Sequence, residues 1–458
     1  MKDIRVKDII KITNGKLISG DDEYICKKYE KDSRIVTNGD IYIGIKGEKF
    51  DGSAFWKDAL NNGADGVIIT KQKISENDLE KYSKKIIIEV EDTLKALYEI
   101  ARHKRSLYDI PVIAITGSVG KTSTKDIIGS VVSQKYKTLK TEGNQNNNIG
   151  LPLTILKLED HEAAVIEMGM NHFGEISLLT SIAKPTLAVI TNIGTSHIGN
   201  LGSRENILKA KLEILEGMNI PRVIINNDND LLHKWYEENK EKIEIHTYGI
   251  KNKSEINAVE IKSDEENSRF YAQTENEKFK IDVPVGGEHF VYNALSAAEV
   301  GRLLDISKEQ IQNGIKNFEL TKKRMDIKKL ENGTTIINDS YNASYESMKA
   351  SIKYLAEHTG KRKIAVLGDM FELGEYAEEL HRRVGEEVAK NNIDILICAG
   401  NNSKYIIEGA NKNSKTEKII LKNNDEILKK LIEIMQKDDI VLIKASNGMK
   451  FFEICQKL

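Results

Sequence analysis

The sequence predicts an α/β protein of three domains, the central one built on a parallel sheet. Two observations lead there. Short apolar runs rich in β-branched residues alternate with helical patterns along most of the 458 residues. Such runs belong to strands buried on both faces. Most of them also end in polar or glycine residues, as strands do where an open sheet turns its carboxyl edge toward a ligand. A content of 40% hydrophobic and 30% charged residues is that of a water-soluble globular chain.

Residues 1–108 read as a small α/β unit. IYIGI (41–45), GVIIT (66–70) and IIIEV (86–90) are its strands, and a helical pattern in FDGSAFWKDALNNGAD ends at Asn-Gly. From Asp92, a candidate N-cap, Leu94, Leu97, Tyr98 and Ala101 keep helical spacing toward Leu107. Pro111 opens the next strand, so a boundary is expected just before it. Residues 109–321 form the central unit, with strands AAVIEMG (163–169), TLAVITNIG (186–194) and RVIINND (222–228). After residue 251 a charged loop is expected, then an antiparallel hairpin in SRFYAQTENEKFKIDVPV, then an amphipathic helix in HFVYNALSAAEVGRLL. Residues 322–458 form a second open α/β sheet, with strands TTIIND, KIAVLGD, DILICAG and DIVLIKAS.

The net charge of −2 gives no reason to expect a nucleic-acid or membrane-surface partner. Cys26, Cys398 and Cys455 are too scattered for a disulfide framework or a zinc motif. The start MKDIRVKDIIKI lacks the apolar core of a signal peptide, and no run reaches the length of a membrane span. A cytoplasmic chain without membrane insertion is expected.

The chemistry centres on VIAITGSVGKTSTK (112–125). A buried strand meets a small Gly/Ser loop and then a helix start. Backbone N–H groups of such a loop converge on one point, where the helix N-terminus adds positive potential. Gly117, Ser118, Val119, Gly120, Lys121, Thr122 and Ser123 are therefore candidate phosphate-loop residues. Lys121 would reach the outer phosphates of ATP and Thr122 would hold Mg²⁺. Ile115 stands where the strict phosphate-loop pattern has its first glycine. Glu167 ends a strand, where an acid can hold Mg²⁺ bound to phosphates.

Other stretches leave alternatives open. The Asn-rich loop TEGNQNNNIGLP (141–152), with Asn144 and Asn147, is either a substrate-binding loop or a surface turn. His197, beyond another strand end, is either structural or a ligand. Lys211, in SRENILKAKLEIL, reads unaided as a solvated helix lysine. Asp339 follows the strand TTII, where an acid can bind a ribose hydroxyl. Lys322, Lys323 and Arg324 precede it, as phosphate contacts or as a solvated linker.

Together these stretches resemble the Mur ligases, ATP-dependent amide-forming enzymes of peptidoglycan synthesis. DSRIVTNGDIYIGIKGEKFDG (32–52), ITGSVGKTSTK, TEGNQNNNIGLP, IEMGMNHFGEI, SHIGN, AKLEI, GEHFVYNALSAAEVG, NDSYNASYESMKASI and LGDMFELG carry the resemblance in order. The Asn-rich loop and the last two stretches point to the branch joining D-alanyl-D-alanine to UDP-N-acetylmuramoyl-tripeptide. The resemblance implies a P-loop ATPase domain between a small nucleotide-sugar-peptide domain and a Rossmann-like C-terminal domain. It implies ATP and Mg²⁺ as cofactors and a monomer. It also implies that Ser33 and Arg34 hold the uridine diphosphate end, and that Glu167 and His197 ligate Mg²⁺. Lys211 would be carbamylated to help bind a second Mg²⁺. Asn293 would lie on the adenine side, and Arg324 and Asp339 would close on the nucleotide. One departure is Lys444-Ala445-Ser446-Asn447, where the family often has Lys-Gly-Ser-Arg. The rival readings are another Mur-type or folylpolyglutamate-type ligase, and a P-loop switch ATPase that forms no amide bond.

Overall fold

The computed structural model describes residues 3–47, 50–321, 325–413 and 415–458. Among them, the largest sheet has nine strands. Third from one edge, Val112–Thr116 pairs in parallel with Ala163–Glu167 on one side and Leu187–Ile190 on the other. Val112, Ile113, Ala114 and Ile115 are fully buried. Helices cover both faces of such a strand, which is why its sequence is a continuous apolar run. The register sets Glu167 beside Ile115 and Ile190 beside Thr116, so these strands end together. That common edge is where the loop Gly117–Gly120 and the helix Lys121–Val132 begin.

The first sheet has five strands, in the order Lys16–Ser19, Ile86–Glu89, Gly66–Ile69, Asp40–Ile43 and Lys28–Glu30. The helix Thr93–Ser106 follows it, and Asp92 caps that helix by accepting from Leu94 N and Lys95 N. The third sheet has six strands, in the order Asp326–Lys329, Thr335–Asn338, Ile440–Lys444, Lys363–Gly368, Ile395–Ala399 and Glu417–Leu421. Its strands are parallel except at the first edge. No described helix is long and apolar enough to cross a membrane.

One expectation needs correcting. The charged stretch after residue 251 is not simply a loop: Ile256–Ser263 is a strand. It pairs antiparallel with Ser268–Gln273, which pairs antiparallel with Lys278–Val283. Ile256 and Ala258 are buried, while Glu260 and Lys262, at a register shift after Val259, are exposed. The strands Glu417–Leu421 and Asp326–Lys329, at the edges of the third sheet, likewise bury too little to show an apolar run.

Candidate active site

The loop after Val112–Thr116 is shaped by close approach. Gly117 has φ +152°, and a Cβ there would lie 1.9 Å from Thr191 Oγ1. Gly120 has φ +83°, a left-handed conformation that glycine adopts without cost. The strand Leu187–Ile190 and its continuation brace the loop. Asn192 accepts from Ser118 N through its carbonyl and from Val119 N through Oδ1, both at 3.0 Å. Thr191 Oγ1 donates to Val119 O at 2.7 Å. Lys121 folds back over the loop, its Nζ 2.8 Å from Gly117 O.

Acid and hydroxyl meet beneath the helix start. Thr122 Oγ1 donates to Glu167 Oε1 at 3.2 Å, and Asn146 Nδ2 donates to the same oxygen at 2.7 Å. Glu167 Oε2 is buried and has no hydrogen-bond partner among the described residues. A desolvated carboxylate oxygen beside a P-loop threonine suits a hard cation such as Mg²⁺.

Lys211 contradicts the unaided reading of its sequence. It is 1% exposed, in the helix Arg204–Leu212 capped by Ser203. Its ammonium has no hydrogen bond or ion pair among the described residues. Burial, and secondarily the charge of Lys121, push its pKa well below that of an ordinary lysine. Lowering that pKa favours the neutral amine, which is the form that reacts with CO₂.

His197 sits at φ +64° before the short helix Ile198–Leu201. Its Nδ1 pairs with Glu372 Oε2 from the third sheet's side, and this bond lowers the Glu372 pKa. Other contacts join the same two units. Glu346 accepts from Thr195 N at 2.9 Å and from Thr195 Oγ1 at 3.1 Å. Gly199 N donates to Glu372 O at 3.0 Å, and a Cβ on Gly199 would lie 2.5 Å from Gly374 N. The two backbones therefore touch at a glycine pair.

Three clefts converge here. One, of about 190 Å³, is lined by the phosphate loop together with Tyr248, Asn293 and Asp339. A second, of about 330 Å³, lies by His197 and Glu372. The third, of about 710 Å³, runs beside Asn144, Asn146, Asn147 and Glu167. Lys121, Tyr341 and Asn342 line all three.

The other predicted residues fall as follows. Asn144 lines the third cleft. Asn147 also lines it, but its Oδ1 accepts from Ile149 N and Gly150 N and so starts the next helix. Asn293 Oδ1 accepts from Thr124 Oγ1 at 3.1 Å, bracing the phosphate-loop helix while lining the first cleft. Asp339 Oδ2 accepts from Lys444 Nζ at 2.5 Å and from Ser351 Oγ at 2.7 Å. Lys444 is 2% exposed, so that strand end has a buried ion pair to make, whatever becomes of the missing arginine. Nearby His289 lines the first cleft, and burial pushes its pKa down to about 4. Ser33 and Arg34 line none of the three clefts. They form a turn in the first unit, where Arg34 pairs with Asp32 and Ser33 O accepts from Asn62 Nδ2 at 2.9 Å. Arg324, with Lys322 and Lys323, lies outside the described residues.

Asn146, Glu346 and Glu372 were not singled out from the sequence. Asn146 was hidden in a run of like residues. The two glutamates act across chain separations of 151 and 175 residues, where no local pattern points.

Comparison with known proteins finds relatives along the whole chain. Residues 29–105 match the Mur ligase family catalytic domain, residues 115–301 the Mur ligase middle domain, and residues 323–447 the Mur ligase glutamate ligase domain. The UDP-N-acetylmuramoyl-tripeptide–D-alanyl-D-alanine ligase of Bacillus subtilis (strain 168) is 37% identical, covering 99% of this chain and 98% of that one. The fold is similar to crystal structure I of MurF from Acinetobacter baumannii, with TM-score 0.90 and 29% identity over 100% of this chain and 98% of that one. It is also similar to the MurF ligase from Thermotoga maritima in complex with ADP, with TM-score 0.81 and 27% identity over 94% of this chain and 96% of that one. Three domains matched in order, and a relative alike from end to end, establish that the chain belongs to the Mur ligase family.

Proposed function

We propose that the chain joins D-alanyl-D-alanine to the terminal carboxylate of UDP-N-acetylmuramoyl-tripeptide, converting ATP to ADP and phosphate and yielding the pentapeptide precursor of peptidoglycan. The observation that carries this reading is the convergence of three clefts on Lys121, Tyr341 and Asn342. A nucleotide, an acceptor carboxylate and an incoming amine each need an approach to one point.

Residues 1–108 hold the uridine diphosphate end through Ser33 and Arg34, residues 109–321 hold ATP, and residues 322–458 hold the dipeptide. Gly117 to Ser123 receive the phosphates. The Ser118 and Val119 N–H groups are already bound to Asn192, so the work falls to the helix start at Lys121. Asn293 and Asp339, with Arg324, form the nucleotide side.

The acceptor carboxylate, oriented by Asn144 and its neighbours, attacks the γ-phosphorus. This forms an acyl phosphate and releases ADP. The amine then adds to the acyl carbon and loses a proton, the carbon's bond to the bridging oxygen breaks, and phosphate leaves with that oxygen, which came from the acceptor carboxylate. Lys121 neutralises charge on the transferred group, where positioning matters more than covalent help. Mg²⁺, when bound, neutralises further phosphate charge; Thr122, Glu167 and His197 would be its ligands, and a carbamylated Lys211 would help hold a second ion. Glu346 and Glu372 keep the second and third units together, which excludes water from the acyl phosphate. We read the chain as a monomer of the cytoplasm, where three cysteines too scattered for a disulfide framework are at home.

Phosphate release measured over a matrix of nucleotide-peptides and amines tests the reading. Release should need both UDP-N-acetylmuramoyl-tripeptide and D-alanyl-D-alanine. Release with neither present, or equal use of an unrelated acceptor, would refute it.

A further inference from the structure

Away from the three clefts, His246 gathers an unusual set of groups. It lies in the strand Glu244–Gly249, with its side chain 15% exposed. Its Nε2 faces Glu244 Oε1 at 3.0 Å, and Arg222 Nε lies 2.5 Å from the same oxygen. Its Nδ1 faces two more carboxylates, Glu255 Oε2 at 2.8 Å and Glu299 Oε1 at 3.9 Å. Glu299 comes from the helix Glu288–Leu303 and is 0% exposed. Arg302 reaches only its other oxygen, at 3.4 Å, so Oε1 is aimed at His246 with no hydrogen-bond partner among the described residues. A buried carboxylate oxygen without a partner is costly, and such oxygens are rare in folded proteins.

We propose that His246, Glu255 and Glu299 form a second metal site, for a zinc-like divalent ion, separate from the nucleotide site. One donor atom from each lies within 4.8 Å of the others. Bonds of about 2.0–2.2 Å in a tetrahedron set ligand atoms about 3.4 Å apart. The observed separations of 2.8 and 3.9 Å bracket that spacing. Glu255 has a side chain 46% exposed, so it can swing into place and leave an open side for water as fourth ligand. The contact of Nε2 with Glu244 is the outer carboxylate–histidine bond that fixes which ring nitrogen faces the metal. One imidazole with two carboxylates favours zinc over Mg²⁺ or Ca²⁺, which prefer oxygen alone. The site would tie the helix that carries Asn293 to the strand Glu244–Gly249 and to the bend that precedes the strand Ile256–Ser263. Glu299 is about 9 Å further along that helix than Asn293, at 1.5 Å for each of six steps.

The full chain, in excess MgCl₂ to occupy hard-cation sites, is loaded with ZnCl₂, dialysed and assayed for bound zinc. A Co²⁺ visible spectrum reports coordination. One equivalent should be retained by the wild type and by His197→Ala, with a higher Tm in ZnCl₂. Glu299→Gln and His246→Asn should each weaken binding at least tenfold. X-ray absorption of the zinc-loaded His197→Ala chain should show nitrogen and oxygen ligands with one imidazole, and this readout stands even where a site variant fails to fold. No stoichiometric zinc, a sulfur shell, loss of zinc in His197→Ala, or full retention in a folded Glu299→Gln chain would each overturn the proposal.

Discussion

Replacing Lys211 by Met removes the amine while keeping a long side chain in its buried space. The structure sets the expected size of the effect. Lys211 is 1% exposed and its pKa is pushed well down, first by burial and then by Lys121. In the unfolded chain the same lysine is protonated below about pH 10.4. Between the depressed folded value and about pH 10.4, unfolding therefore takes up a proton. Folded wild type gains about 1.4 kcal/mol for each pH unit raised through that window and loses it as pH falls. The Met variant lacks this slope. Its Tm advantage over the wild type should be largest at the acid end of the window and shrink toward pH 10. Added bicarbonate should raise the Tm of the wild type only, because a carbamate forms only on the folded protein's neutral amine. Activity should move the other way. Without an anionic oxygen at this point, turnover should fall about a hundredfold or more, roughly 2.7 kcal/mol in the barrier. Short carboxylates should partly rescue Lys211→Ala but not Lys211→Arg, whose guanidinium fills the space. The assays are thermal melts from pH 6 to pH 10 and phosphate release in CO₂-depleted buffer with and without bicarbonate. A Met variant with wild-type turnover, and a Tm difference that ignores pH and bicarbonate, would refute the reasoning.

Lys121→Ala should keep the fold and lose about a hundredfold or more in turnover, checked by phosphate release beside circular dichroism. Gly199→Ala should cut turnover while leaving the circular dichroism unchanged, because its Cβ would meet the Gly374 backbone at 2.5 Å and hold the second and third units apart; small-angle scattering with substrates reads the failure to close. Asp339→Asn should raise the KM for ATP more than that for the nucleotide-peptide. It should also lower the Tm, since Lys444 loses a buried anionic partner, worth up to about 3–5 kcal/mol where a partner is lost outright. Unchanged ATP titration in that variant would remove Asp339 from the nucleotide side.

Much of this molecule was legible in one dimension. A parallel strand buried on both faces must be apolar throughout, so Val112–Thr116, Ala163–Glu167 and Ile440–Lys444 announced themselves. The phosphate loop was legible because its glycines, lysine and threonine act within a few residues of one another. Strands such as Glu417–Leu421 and Ile256–Ser263 were not, because the first has no fully buried residue and the second loses its alternation at a register shift after Val259. Lys211 shows the limit most clearly. Its helix has the composition of a surface helix, and only the packing of distant segments removes water from its amine. The same holds for Asn146 on Glu167, Glu372 on His197 and Lys444 on Asp339. Local periodicity and short-range chemistry made the buried parallel strands, the phosphate loop and the order of the units readable from the chain alone. The tertiary structure alone decided which charges are desolvated and which are paired, because burial and Coulomb partners depend on distances that chain spacing does not encode.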